Sequence, residues 1–176
     1  MEELPGAIYL FNLSLLAISF AIVSTLVMLV RQTLGGKLSN FDVYLITSYV
    51  SFGFVIAFNA ILPPLVSLFD SAPAVLWGVA SGLAAILQCG VLVNTVRRRM
   101  KASKERPSWA VIASFSTHAI IVFALVVNAS VPGVRGPGLF ALALTVSLAI
   151  MMWTFVRRIS SLFGVEPGDD WDPKRG

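Results

Sequence analysis

The sequence predicts an all-α integral membrane protein: a bundle of five transmembrane helices, N-terminus outside and C-terminus cytoplasmic. Three observations carry this. The 176-residue chain is 57% hydrophobic and only 12% charged, with a mean hydropathy of +0.84. That is about half the charged share of a soluble domain, too little to cover a water-exposed surface. Second, five apolar stretches each supply the roughly 20 helical residues needed to cross about 30 Å of hydrocarbon. Third, twelve of the thirteen Lys and Arg fall on one side if all five stretches span.

The first helix covers about residues 7–30. The N-terminal run "MEELPGAIYLFNLSLL" has no basic leader region, carries Glu2 and Glu3, and is too long for a signal core. It is read as a retained membrane helix. The second covers about 41–62 and follows "SNFD" (Ser39 to Asp42), which resembles a capping box with Asp in place of the usual Glu. Its far end reads "NAILPP". Pro63 cannot donate to the carbonyl of Asn59, nor Pro64 to that of Ala60. The helix is expected to stop here with both carbonyls meeting water; the alternative is a broken helix that offers them to a cation.

The third helix covers about 73–96, the fourth about 107–128 and the fifth about 137–156. Pro73, Pro107 and Pro137 each sit at a first helical position, where a missing N–H costs nothing. Gly35, Gly36 and the stretch 133–138 mark loops. Strands are excluded by the length of the runs and by the unpaired backbone an open sheet leaves in lipid. Residues 1–158 form one transmembrane domain, and 159–176 a short cytoplasmic tail that begins as an interfacial helix through Ile159, Leu162 and Phe163.

Orientation follows from the basic residues. Arg31 and Lys37 lie between helices one and two. Arg97, Arg98, Arg99, Lys101, Lys104 and Arg106 lie between three and four, and Arg157, Arg158, Lys174 and Arg175 follow helix five. Only Arg135 lies on the other side, so the positive-inside rule puts the basic ends in the cytoplasm. Tyr9 and Trp77 near the outer ends, and Tyr44, Trp109 and Trp153 near the inner ends, read as aromatic belts. No internal repeat is evident, so an inverted-repeat transporter is unsupported. Arg outnumbers Lys, and Ala and Val are abundant, which suits a bacterial inner membrane.

His118 is the one histidine. It lies about 11 residues into helix four, about 16 Å deep at 1.5 Å per residue, near the bilayer centre. Intramembrane ionisable residues are functional candidates. Against that stands a neutral histidine bonded to a polar side chain on a neighbouring helix, worth about 1 kcal/mol or less, and this plainer reading leads. Ser114 and Thr117 accompany His118 about one turn away, and Thr47, Ser51 and Asn59 recur at multiples of four along helix two. Helix one adds Asn12, Ser14 and Ser19. These faces line a narrow polar path or fasten helices together; the second starts ahead.

Gly78 and Gly82 form a GxxxG in helix three, extended by Ala85. Small residues there let backbones approach, within the bundle or between protomers. Arg97, Arg98, Arg99, Lys101 and Lys104 attract anionic headgroups at about 1 kcal/mol each. Asp169, Asp170 and Asp172 fit no calcium loop. Cys89 has no disulfide partner in the chain.

No phosphate-binding Gly-Lys loop, HExxH or CxxC occurs, and no Asp, Glu, Lys or Arg lies midspan. No catalytic residues, metal ligands or cofactors are expected, and the chain is not read as an enzyme. The charge pattern also excludes nucleic acid as a partner. The leading function is a homo-oligomeric ion channel or pore. The alternatives are a non-catalytic subunit of a larger membrane complex and, third, an intramembrane redox or proton-transfer protein centred on His118.

Overall fold

The computed structural model describes residues 4, 6–33, 39–69, 72–102 and 108–162. They form five helices: α1 (Ala7–Thr33), α2 (Asn40–Ser67), α3 (Pro73–Ala102), α4 (Trp109–Ser130) and α5 (Pro137–Leu162), with no strand among the described residues. All five are long and apolar enough to cross a membrane. Lys37, Lys104, Arg106, Pro107, Glu2, Glu3 and the tail beyond Leu162, with its three aspartates, lie outside the described residues.

Local chemistry explains the helix ends. Gly6 turns the chain into α1 at φ +80°, a left-handed conformation that costs glycine little. The capping box at α2 forms: Ser39 Oγ accepts from the Asp42 amide at 3.1 Å, and the Asp42 carboxylate accepts from the Ser39 amide at 2.9 Å. Arg31 at the end of α1 reaches the same carboxylate at 2.8 Å. α3 runs on to Ala102, so Arg97 to Lys101 occupy its last turns and are not a loop.

α2 departs from expectation. It does not stop at Pro63 but continues through both prolines to Ser67. The cause is burial: Pro63 is packed inside, so leaving the helix there would strip a core residue from the bundle as well as free a carbonyl.

Helices α2, α3, α4 and α5 form a ring in that order, with α5 closing back onto α2, while α1 lies along α2 and touches α5. Gly53 lets α1 and α2 meet. A Cβ at this position would sit 3.0 Å from the Ala21 Cβ and 3.1 Å from the Ala17 carbonyl. Deeper along the same seam, Phe20 of α1, Tyr49 of α2 and Phe155 of α5 pack edge to face with ring centroids 5.4–6.0 Å apart.

The aromatic belt is only partly as expected. Tyr9, Trp109 and Trp153 are exposed, but Trp77 and Tyr44 are buried, Trp77 against Phe140 at 5.8 Å. Their position near a helix end was legible in the sequence; the side of the helix they occupy was not.

Candidate functional site

The two ends of the bundle differ. At the end without the basic clusters, side-chain bonds tie α3, α4 and the loop that leads into α5 together. Asn128 donates to Ser81 Oγ at 2.7 Å and to the Gly136 carbonyl at 3.3 Å, and accepts from the Gly136 amide at 3.1 Å. Arg135 donates to the Ala129 carbonyl at 3.0 Å, satisfying a late carbonyl of α4. Gly78 leaves room for that guanidinium, 3.4 Å from where its Cβ would be, and Gly82 faces the Ala129 Cβ. The GxxxG therefore packs within the bundle, with Ala85 in the core beside it. One turn beyond Ala85, Gln88 of α3 donates to Ser147 of α5 at 3.3 Å.

At the basic end the ring opens. α2 and α4 face each other across it without backbone contact, and the space between them is a cavity of about 330 Å³. Its walls are Tyr44, Leu45, Ser48, Tyr49 and Phe52 from α2, Thr95 and Arg99 from α3, Ser108, Ala110, Val111, Ser114, Phe115 and His118 from α4, and Met151, Thr154 and Arg157 from α5. The volume lies at the lower end of small-molecule sites.

His118 forms the inner end. It is 2% exposed. Its Nδ1 lies 2.8 Å from the Ser114 carbonyl, which can only accept, so Nδ1 carries the hydrogen in the neutral ring and Nε2 holds the lone pair. Nε2 is buried with no hydrogen-bond partner. The Phe52 ring packs against the imidazole at 4.6 Å between centroids. This is not the side chain to side chain bond to a neighbouring helix that the sequence favoured: the imidazole bonds backward along its own helix and meets its neighbour through an aromatic ring.

Past this pair stands Asn59. It lies seven residues from Phe52, two turns along the same face of α2 and about 10 Å further from the basic end. It is fully buried, and neither its amide nitrogen nor its oxygen has a partner. Pro63 supplies no N–H to its backbone carbonyl. Three polar groups therefore meet at one buried position.

The remaining path residues separate. Ser114 lines the cavity beside His118. Thr117 is turned about 100° away, bonding the Ala113 carbonyl at 2.9 Å. Thr47 bonds the Val43 carbonyl at 2.8 Å; it and Ser51 are half-buried and do not line the cavity. Each step of four residues drifts by about 40° around a helix, so a series that begins with Thr47 outside reaches the interior only at Asn59. On α1, Asn12 and Ser19 are exposed while Ser14 is buried.

Arg99 and Arg157 stand at the mouth. Arg157 lies over the Trp109 and Trp153 rings, 5.1 and 5.2 Å from their centroids, and Arg99 over Phe41 at 5.8 Å. Arg97, Arg98 and Lys101 face outward, whereas Arg99 lines the cavity. Phe52, Tyr49 and Met151 were not singled out in sequence, and Arg157 only as part of the basic end. For Arg157 the one sequence signal is Trp153, four residues earlier on the same helix face; an apolar residue such as Phe52 in an apolar helix has none.

Among the described residues no three His, Cys, Asp or Glu side chains come together as a metal site. No protein-family model, no curated protein and no solved structure matches this chain.

Proposed function

We propose that this chain is a membrane conduit for a small ion or solute, and that the route runs through each protomer. One observation supports this above the others: the cavity that leads from Arg99 and Arg157 to His118. The orphaned amide of Asn59 beyond it supplies the next polar station. The packed Phe52–His118 pair lies between the two and acts as a hydrophobic gate, which excludes water when closed. In this reading the basic end faces the cytoplasm of a bacterial inner membrane, and the protein is not an enzyme. Homo-oligomers assemble conduits side by side and need no pore on their symmetry axis, because His118, Ser114 and Asn59 face inward.

Liposome flux with purified protein tests this. A leak that depends on pH and loses that dependence in His118→Ala is expected. Of the titratable groups around the cavity, Tyr44, Tyr49, Arg99, Arg157 and His118, only the imidazole ordinarily titrates near neutral pH. No flux of any small ion or solute, at any pH, overturns the reading.

A second reading, a non-catalytic subunit of a larger complex, has one observation in its favour. A shallow groove between α3 and α4 faces away from the bundle, lined by Ile86, Cys89, Gly90, Val93, Asn94 and Val126. An exposed Asn beside small residues suits contact with another transmembrane helix. Stoichiometric foreign chains co-purifying from native membranes would favour this reading.

A further inference from the structure

We infer that the cavity binds a single-chain anionic amphiphile, its carboxylate or phosphate head at the basic mouth and its chain running inward to Phe52 and His118. This names the ligand class of the proposed conduit and rests on reading that cavity as the functional site.

The head is specified by four groups. Arg99 and Arg157 flank the mouth, and neither pairs with a carboxylate among the described residues. Aromatic faces hold both, a contact that keeps a guanidinium's N–H edge available. Between them begins α4. Its N-cap, Ser108, has extended backbone but makes no side-chain capping bond, and among the described residues the helix's backbone bonds begin at Val111, whose amide donates to the Ser108 carbonyl. The amides of Trp109 and Ala110 precede that first bond, at the positive end of the helix dipole. Two guanidiniums, a hydroxyl and a helix N-terminus line the basic end of the same cavity, and each of them favours an anion.

The chain is specified by shape. Ser108 to His118 is ten residues of one helix, about 15 Å. Over that depth the walls include Leu45, Tyr49, Val111, Phe115 and Met151. A small inorganic anion would occupy the mouth and leave this apolar lining wet. An attached alkyl chain buries it, at about 0.8 kcal/mol per CH₂. The mouth lies where the exposed Trp109 and Arg157 suit a membrane–water boundary, the depth at which the heads of such amphiphiles reside.

Equilibrium binding of radiolabelled dodecanoate to the full chain in phosphatidylcholine nanodiscs tests this, with empty nanodiscs subtracted. Saturable binding is expected, competed by dodecyl phosphate and not by dodecanol or inorganic phosphate. The double variant Arg99→Gln/Arg157→Gln weakens it about a hundredfold, as two charge-assisted bonds lost. Ser114→Phe fills the cavity and abolishes it; an unchanged melting temperature shows that this variant folds. Full competition by inorganic phosphate makes this a small-anion site, and equal competition by dodecanol makes it an uncharged apolar one; either overturns the inference, as does the absence of saturable binding. Ion flux without amphiphile binding sinks this inference alone. Amphiphile binding without any flux sinks the conduit alone.

Discussion

The Phe52 ring stands edge-on to the His118 imidazole, centroids 4.6 Å apart and planes at 60°, and this contact joins two helices that share no backbone contact. The cavity lies on the basic side of it, and Asn59 beyond it is fully buried. Phe52→Ala is therefore expected to raise liposome flux, while lowering stability by about 3 kcal/mol as a large core side chain is lost. Unchanged flux in a folded variant would move the barrier elsewhere.

Gly53, the next residue, has the opposite role. A Cβ there meets the Ala21 Cβ at 3.0 Å and the Ala17 carbonyl at 3.1 Å, and a carbonyl cannot rotate aside. Gly53→Ala is expected to cost about 1–3 kcal/mol through overpacking of α1 on α2. Gly82→Ala, whose Cβ meets Ala129 only at 3.9 Å, stays within about 0.5 kcal/mol. Thermal unfolding in detergent compares the two.

Asn59 and Asn128 are both fully buried and differ in sign. Asn59 has no partners, so Asn59→Leu removes an unpaired amide and stabilises by about 1–3 kcal/mol. The same variant is expected to lose flux. Asn128→Leu leaves the Gly136 amide without its acceptor and destabilises by a similar amount. If Asn59→Leu also destabilises, the amide has a bound partner.

The orientation of the bundle is open to a direct measurement. A reporter fused after Gly176 is expected to read cytoplasmic, because the odd-numbered helices all run toward the basic end. An extracytoplasmic signal reverses the cavity and makes Arg99 and Arg157 an outer mouth.

Five helices, their order and the charge asymmetry were legible in the sequence because hydropathy, caps and Lys/Arg position are local properties. The Ser39–Asp42 capping box is the clearest case: both partners lie within one turn. Pro63 was misleading for the same reason. Its local chemistry says stop, and packing against other helices overrode it. His118 was legible as unusual, but its partner across the bundle was not, since that contact is an ordinary phenylalanine on another helix.

The sequence by itself thus determined an apolar five-helix chain with one strongly basic end. Only the tertiary structure decided that a cavity opens between α2 and α4 at that end, and that Asn59 faces in while Thr47 does not. The physical reason is that helix rotation and the gaps between helices depend on side-chain volumes summed across three or four helices, and no single stretch of sequence carries that sum.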